Sequence, residues 1–127
     1  MDDKTQAHKE AAVQFLQAVI AGRIDQAYEQ YVEMRGQHHN PYFAAGFAAL
    51  QASMRENHVQ FPHKMLDVKH VLGDGDLVAV HSHIVLSPGE PAVAAVHLFR
   101  FNADKIVELW DVGQVVPGDS PNEQGMF

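Results

Sequence analysis

The 127-residue sequence predicts an α+β fold, with about three N-terminal helices covering one side of a curved antiparallel sheet. Apolar residues in the first half recur at helical spacing, and the second half changes to Val-rich runs with strand-like alternation. Those runs are separated by "GDGD", "SPGEP" and "NADK", short enough to be hairpin connections, so the sheet reads as a meander.

The first helix spans about Thr5 to Ala21, where Ala12, Phe15, Leu16, Val19 and Ile20 form one apolar stripe and Gly22 ends it. Asp25 is placed to cap a second helix carrying Ala27, Tyr28, Tyr31 and Val32, which should run out near Gly36. In "GQHHNPYFAAG" the Asn40-Pro41 step turns the backbone away from helix, giving a loop or a short extended piece. A third helix covers roughly Gly46 to Asn57, and Pro62 closes the helical half. Four strands follow as "MLDVKHVL", "LVAVHSHIVL", "AVAAVHLFRF" and "KIVELWDVGQVV". The chain reads as one domain, residues 1–127, with a core at about 5–116 and a loop-like tail at 117–127 whose last two residues could pack back as an apolar plug.

Several strands are apolar on both faces: residues 77–86 hold Leu77, Ala79 and Val85 on one and Val78, Val80, Ile84 and Leu86 on the other. Helices can cover only one side, so the second face is expected to meet another copy in a two-fold homodimer. The net charge of −7, with no Lys/Arg cluster beyond two neighbours, argues against nucleic acid as a partner. No apolar run is long enough to span a membrane, and the acidic start "MDDKTQAHKE" is unlike a signal peptide, so a cytoplasmic protein is expected. The absence of cysteine excludes disulfides, thiol nucleophiles and thiolate metal sites.

The nine histidines are the unusual feature of the composition. Alternation puts His81 and His83 on one face with Leu77, Ala79 and Val85. His97 shares a face with Val93, Ala95, Phe99 and Phe101, and Asp111 with Val107, Leu109 and Val115. Three histidines and one aspartate thus interrupt apolar faces of adjacent strands, as polar groups converging in an apolar small-molecule cavity would. Apolar walls would raise the proton affinity of Asp111 toward a working acid or base, and a histidine could share the proton. Trp110 is large enough to pack in a core, in an interface or against a bound molecule. His39 and Asn40 lie in a polar loop that reads either as exposed or as the rim of the cavity. "HSH" also reads as a metal pair, which His38, His39 or His97 could complete.

The order of elements, together with "HHNPYFAAGFAAL", "GDGDLVAVHSH", "VHLFRFNADKIVELWDVGQ" and the ending "GMF", resembles the SnoaL-like polyketide cyclase group of the nuclear transport factor 2-like superfamily. The resemblance covers nearly the whole chain. It implies a cystatin-like cone-shaped roll, helices packed on a strongly curved antiparallel sheet, with a pocket inside and dimerisation through the outer face. It also implies that Asp111 is the acid/base and His97 its helper in an aldol closure that needs no metal or organic cofactor. Many relatives read His before the tryptophan, where this chain has Leu109. The expected function is therefore a cofactor-free acid/base reaction beside a carbonyl of a small apolar substrate. Asp111 and His97 would be catalytic, with His81, His83, His39, Asn40 and Trp110 shaping the site. The alternatives are a non-catalytic dimeric ligand-binding module and a histidine metal site.

Overall fold

The computed structural model describes residues 3–127. In chain order its elements are α1 (Asp3–Ile20), α2 (Ile24–Tyr31), β1 (Val32–His38), α3 (Phe47–Gln60), β2 (Met65–Asp74), β3 (Leu77–Val85), β4 (Val93–Asn102) and β5 (Lys105–Val115). The predicted stripe of α1 is the one that is buried: Ala12, Phe15, Leu16 and Val19 all lie inside. Gly22 ends this helix at φ 89°, and the Gly22 and Arg23 amides donate to the carbonyls of Val19 and Ala18 at 3.1 and 2.9 Å. A Cβ at Gly22 would also come within 2.3 Å of the His58 ring.

Asp25 does not cap α2. Position 23 precedes the helix without a side-chain cap, and Asp25 sits in the first turn, where it accepts from Gln51 Nε2 at 2.9 Å and Arg55 Nε at 2.6 Å. Ile24 opens the helix because its side chain is buried, 3% exposed, and this turns Asp25 outward toward α3.

The second helix stops at Tyr31, well short of Gly36, and the remainder is a strand. The sheet order is β1-β5-β4-β3-β2; the three hairpin pairs are antiparallel, but β1 runs parallel to β5, so the sheet is mixed and has five strands rather than four. "VEMRGQH" hides this role, because it has one β-branched residue, no clean alternation and a glycine. The glycine is what lets the strand approach: a Cβ at Gly36 would stand 2.1 Å from the Val107 carbonyl oxygen and 2.9 Å from Phe47 Cε2.

α1 packs on β2 and β3, and α3 packs on β1. Together the helices cover an inner sheet face that holds Val78, Val80, Ala95, Phe99, Phe101, Ile106 and Leu109, all buried. Phe15 joins the layers, meeting Tyr28 edge-on at 5.3 Å and Phe99 at 6.0 Å between ring centres. A bulge lies where Arg100 pairs with Glu108 but Phe101 pairs with Ile106. The extra residue brings Ile106 into the core, so the partner of Leu109 on that face is Ile106 and not Val107. In the tail, Phe127 packs back on the outer face, stacked on His83 at 4.4 Å and His81 at 5.8 Å.

Candidate active site

His97 on β4 and Asp111 on β5 are directly opposed in the antiparallel register, and both belong to the inner-face series of their strands. His97 Nε2 lies 3.6 Å from Asp111 Oδ2, with side-chain exposures of 11% and 31%. That spacing makes an electrostatic contact rather than a direct hydrogen bond, and the exposures put the pair at the boundary between core and water.

The third member comes from the loop after β1. Asn40 Nδ2 donates to Asp111 Oδ2 at 2.9 Å, while Asn40 Oδ1 accepts from the Tyr42 amide at 3.0 Å and fixes the turn. His38 holds the loop from below. Its Nε2 donates to the Ala44 carbonyl at 2.8 Å and its Nδ1 accepts from the Asn40 amide at 3.1 Å, which sets a neutral Nε2–H tautomer. His38 stands across from Leu109 in the β1–β5 register, so the inner face does carry a histidine here, contributed by β1 with both ring nitrogens engaged.

The expectation that apolar walls raise the proton affinity of Asp111 is only half met. Burial does push the carboxyl upward, and it is the largest single influence, but the His97 imidazole and then the Asn40 amide act together against it and hold the group below its ordinary value of 3.8. A carboxylate depressed on folding contributes stability that is present above 3.8 and is lost as pH falls through its lower folded value. Asn40→Ala is accordingly expected to move the Asp111 titration midpoint upward, which carbon-detected NMR of the carboxyl would read. An unmoved midpoint would remove Asn40 from the arrangement.

The structure brings together Asp111, His97 and Asn40, and places the other four predicted residues elsewhere. His39 turns to the outer face, stacking on Trp110 at 5.1 Å and donating from Nε2 to Glu108 Oε2 at 2.7 Å. This contact is the first cause of the lowered Glu108 carboxyl. Trp110 pairs with Leu98 on the outer face, with the Arg100 guanidinium 5.8 Å above its ring. His81 and His83 are outer-face residues as well: His81 Nδ1 meets His70 Nδ1 at 2.9 Å, and His83 lies under Phe127. The strand alternation was right for each histidine, but alternation cannot say which face of one strand matches which face of the next. The metal alternative is not supported, since among the described residues no group of three or more His, Asp or Glu side chains is placed to hold an ion.

Two residues of the inner face had no role in the predicted cavity: His38, read in the stretch after the second helix and weighed only as a metal ligand, and Ser82, the middle residue of "HSH". The burial pattern of β3 puts Val78, Val80 and Ser82 inside. A cavity of about 910 Å³ lies away from this cluster, between α1 and two hairpin turns, with Lys4, His8, Asp76, Phe101 and Asp104 in its lining. Its lining includes none of Asp111, His97 and Asn40.

Three helices packed on one face of a five-stranded mixed sheet give an α+β fold like that of cystatin-fold and nuclear transport factor 2-like proteins. Residues 12–109 match the family described as the SnoaL-like domain, and the chain belongs to that family. No curated protein matches. Among solved structures, the chain is similar to a proposed SnoaL-like polyketide cyclase from Jannaschia sp. CCS1, at TM-score 0.76 and 15% identity, covering 90% of each chain. It is similar to a proposed ketosteroid isomerase from Kribbella flavida DSM 17836, at TM-score 0.73 and 17% identity, covering 95% of this chain and 87% of that one. A nuclear transport factor 2-like protein of unknown function from Burkholderia xenovorans LB400 aligns at TM-score 0.71 and 20% identity, covering 94% and 91%. At these identities the likeness is one of fold.

Proposed function

We propose that this protein is an acid/base catalyst acting beside a carbonyl of a small apolar substrate, by aldol-type cyclisation or isomerisation, and that it works as a cytoplasmic homodimer. The observation that carries the reading is the inner-face trio: a half-buried Asp111 carboxylate oriented by Asn40, with His97 3.6 Å away. Asp111 takes the proton from the carbon next to the carbonyl, and His97 is placed to stabilise the enolate. The cyclase and isomerase relatives support the same class of chemistry. The test is exchange of α-hydrogens for deuterium in a probe ketone, 2-tetralone, in D2O; exchange that does not depend on Asp111 would defeat the reading.

The lowered proton affinity of Asp111 favours a second reading, a non-catalytic ligand-binding module in which the His97–Asp111 pair is structural. It expects ligand binding without any exchange. For the dimer, the support is the outer sheet face, where Leu72 is 68% and Val112 61% exposed beside Val96 and Leu98. Light scattering is expected to give twice the 14.1 kDa chain mass, and Val112→Asp to halve it. A wild-type mass of one chain would rule out the dimer.

A further inference from the structure

Ser82 is 0% exposed, and its Oγ has no hydrogen-bond partner among the described residues. The same holds for His97 Nδ1, the ring nitrogen not facing Asp111. These are two of the four buried side-chain polar atoms left without a partner among the described residues. They fall on one face: the register pairs Val80 with His97 and Ser82 with Ala95, so Ser82 and His97 are diagonal neighbours on the inner side of β3 and β4. Diagonal pairs stand about 7–8 Å apart at their Cα atoms and less at Cβ, close enough for both polar tips to reach one small group between them. The surroundings are apolar, with Val80, Ala95 and Phe99 all buried. An unpartnered hydroxyl in such a place is destabilising, and alanine would fill it without that cost.

We propose that Ser82 is a catalytic residue whose hydroxyl, together with Nδ1–H of a His97 ring that carries a proton on both nitrogens and turns Nε2–H toward Asp111, receives the carbonyl oxygen of the substrate. The inference rests on the acid/base reading above and extends it by one residue. Asp111 removes a proton from the carbon next to the carbonyl; the electrons of that C–H bond form the C=C bond of the enolate, and the carbonyl π electrons move to oxygen. Ser82 and His97 each keep their proton and hydrogen-bond to the new negative charge, and return of the proton from Asp111 to carbon reverses the step. Donors fixed in a desolvated site act on the developing charge without having to reorganise. Of these groups the Asp111 side chain is the one that water reaches, being one-third exposed.

The experiment compares wild type, Ser82→Ala, Ser82→Thr and Asp111→Asn in the 2-tetralone exchange assay, alongside binding of 2-naphthol, whose ionised form mimics the enolate. Ser82→Ala is expected to lower kcat by about 10²-fold with KM little changed, and to weaken 2-naphthol while its melting temperature holds or rises. Ser82→Thr, which keeps a hydroxyl, should recover most of the lost rate. Wild-type rates and 2-naphthol affinity in Ser82→Ala overturn the proposal, as does a loss that tracks a lowered melting temperature and is not recovered by threonine. If exchange needs Asp111 but not Ser82, only this proposal falls. If wild type shows no exchange, or Asp111→Asn exchanges as fast as wild type, the acid/base reading fails and takes the proposal with it.

Discussion

Asp111→Asn is expected to slow α-hydrogen exchange in 2-tetralone by about 10²–10⁴-fold, the contribution of a well-placed general base, while the protein remains folded. Asparagine keeps the size of the side chain and can still accept from Asn40 Nδ2, which now donates to Asp111 Oδ2 at 2.9 Å, so the loop has no reason to leave. What is lost is the ionised carboxylate beside His97 and Asn40. The wild-type pH profile carries a matching signature. Because His97 and Asn40 outweigh burial and hold the carboxyl below 3.8, the base is ionised above that value, and the acid limb of the rate must lie below it. A limb near 6.5, the ordinary range of an imidazole, would transfer the base role to a histidine. An unchanged rate in Asp111→Asn would leave the pair as structural.

Phe47→Ala is expected to cost about 3–5 kcal/mol in urea unfolding, the usual range for removing a buried aromatic ring. Phe47 is the first residue of α3 and is 0% exposed. It touches three parts of the molecule that the site depends on. Its ring meets Tyr28 of α2 at 6.5 Å and His38 of β1 at 6.3 Å, and its Cε2 lies 2.9 Å from where a Gly36 Cβ would be. Truncation therefore opens a cavity where α2, α3 and β1 converge, directly beneath the loop that His38 holds for Asn40. Against a typical total stability of about 5–15 kcal/mol the loss is large, and Phe47→Leu, which keeps more of the apolar volume, should lose less. A cost below about 1 kcal/mol, the level of ordinary surface substitutions, would show that α3 is anchored elsewhere.

Much of the architecture was legible in the sequence because it rests on short-range periodicity. The stripe Phe15, Leu16, Val19 of α1, the positive-φ stop at Gly22 and the limits of β2 to β5 follow from local pattern, and each matches the structure to within a residue or two. His97 and Asp111 were singled out too, but turn register alone does not oppose them: the turn pairs Asn102 with Lys105 and Phe101 with Ile106, which would set His97 against Trp110, and the bulge at Arg100 shifts the pairing by one residue to Asp111. The family resemblance agreed with both.

The tertiary structure decided what depends on partners distant in sequence. β1 is a strand because β5 receives it, a parallel pairing of residues some seventy positions apart, and its own polar composition gave no local signal for it. Asn40 reaches Asp111 only because that strand delivers the loop. The facing of "HSH" was decided in the same way: alternation separates the histidines from the serine, but only packing of the helices on one side of the sheet turns Ser82 inward and sends His81 and His83 out. Local sequence specifies the period of a strand, whereas the buried face is chosen by what the rest of the chain lays against it.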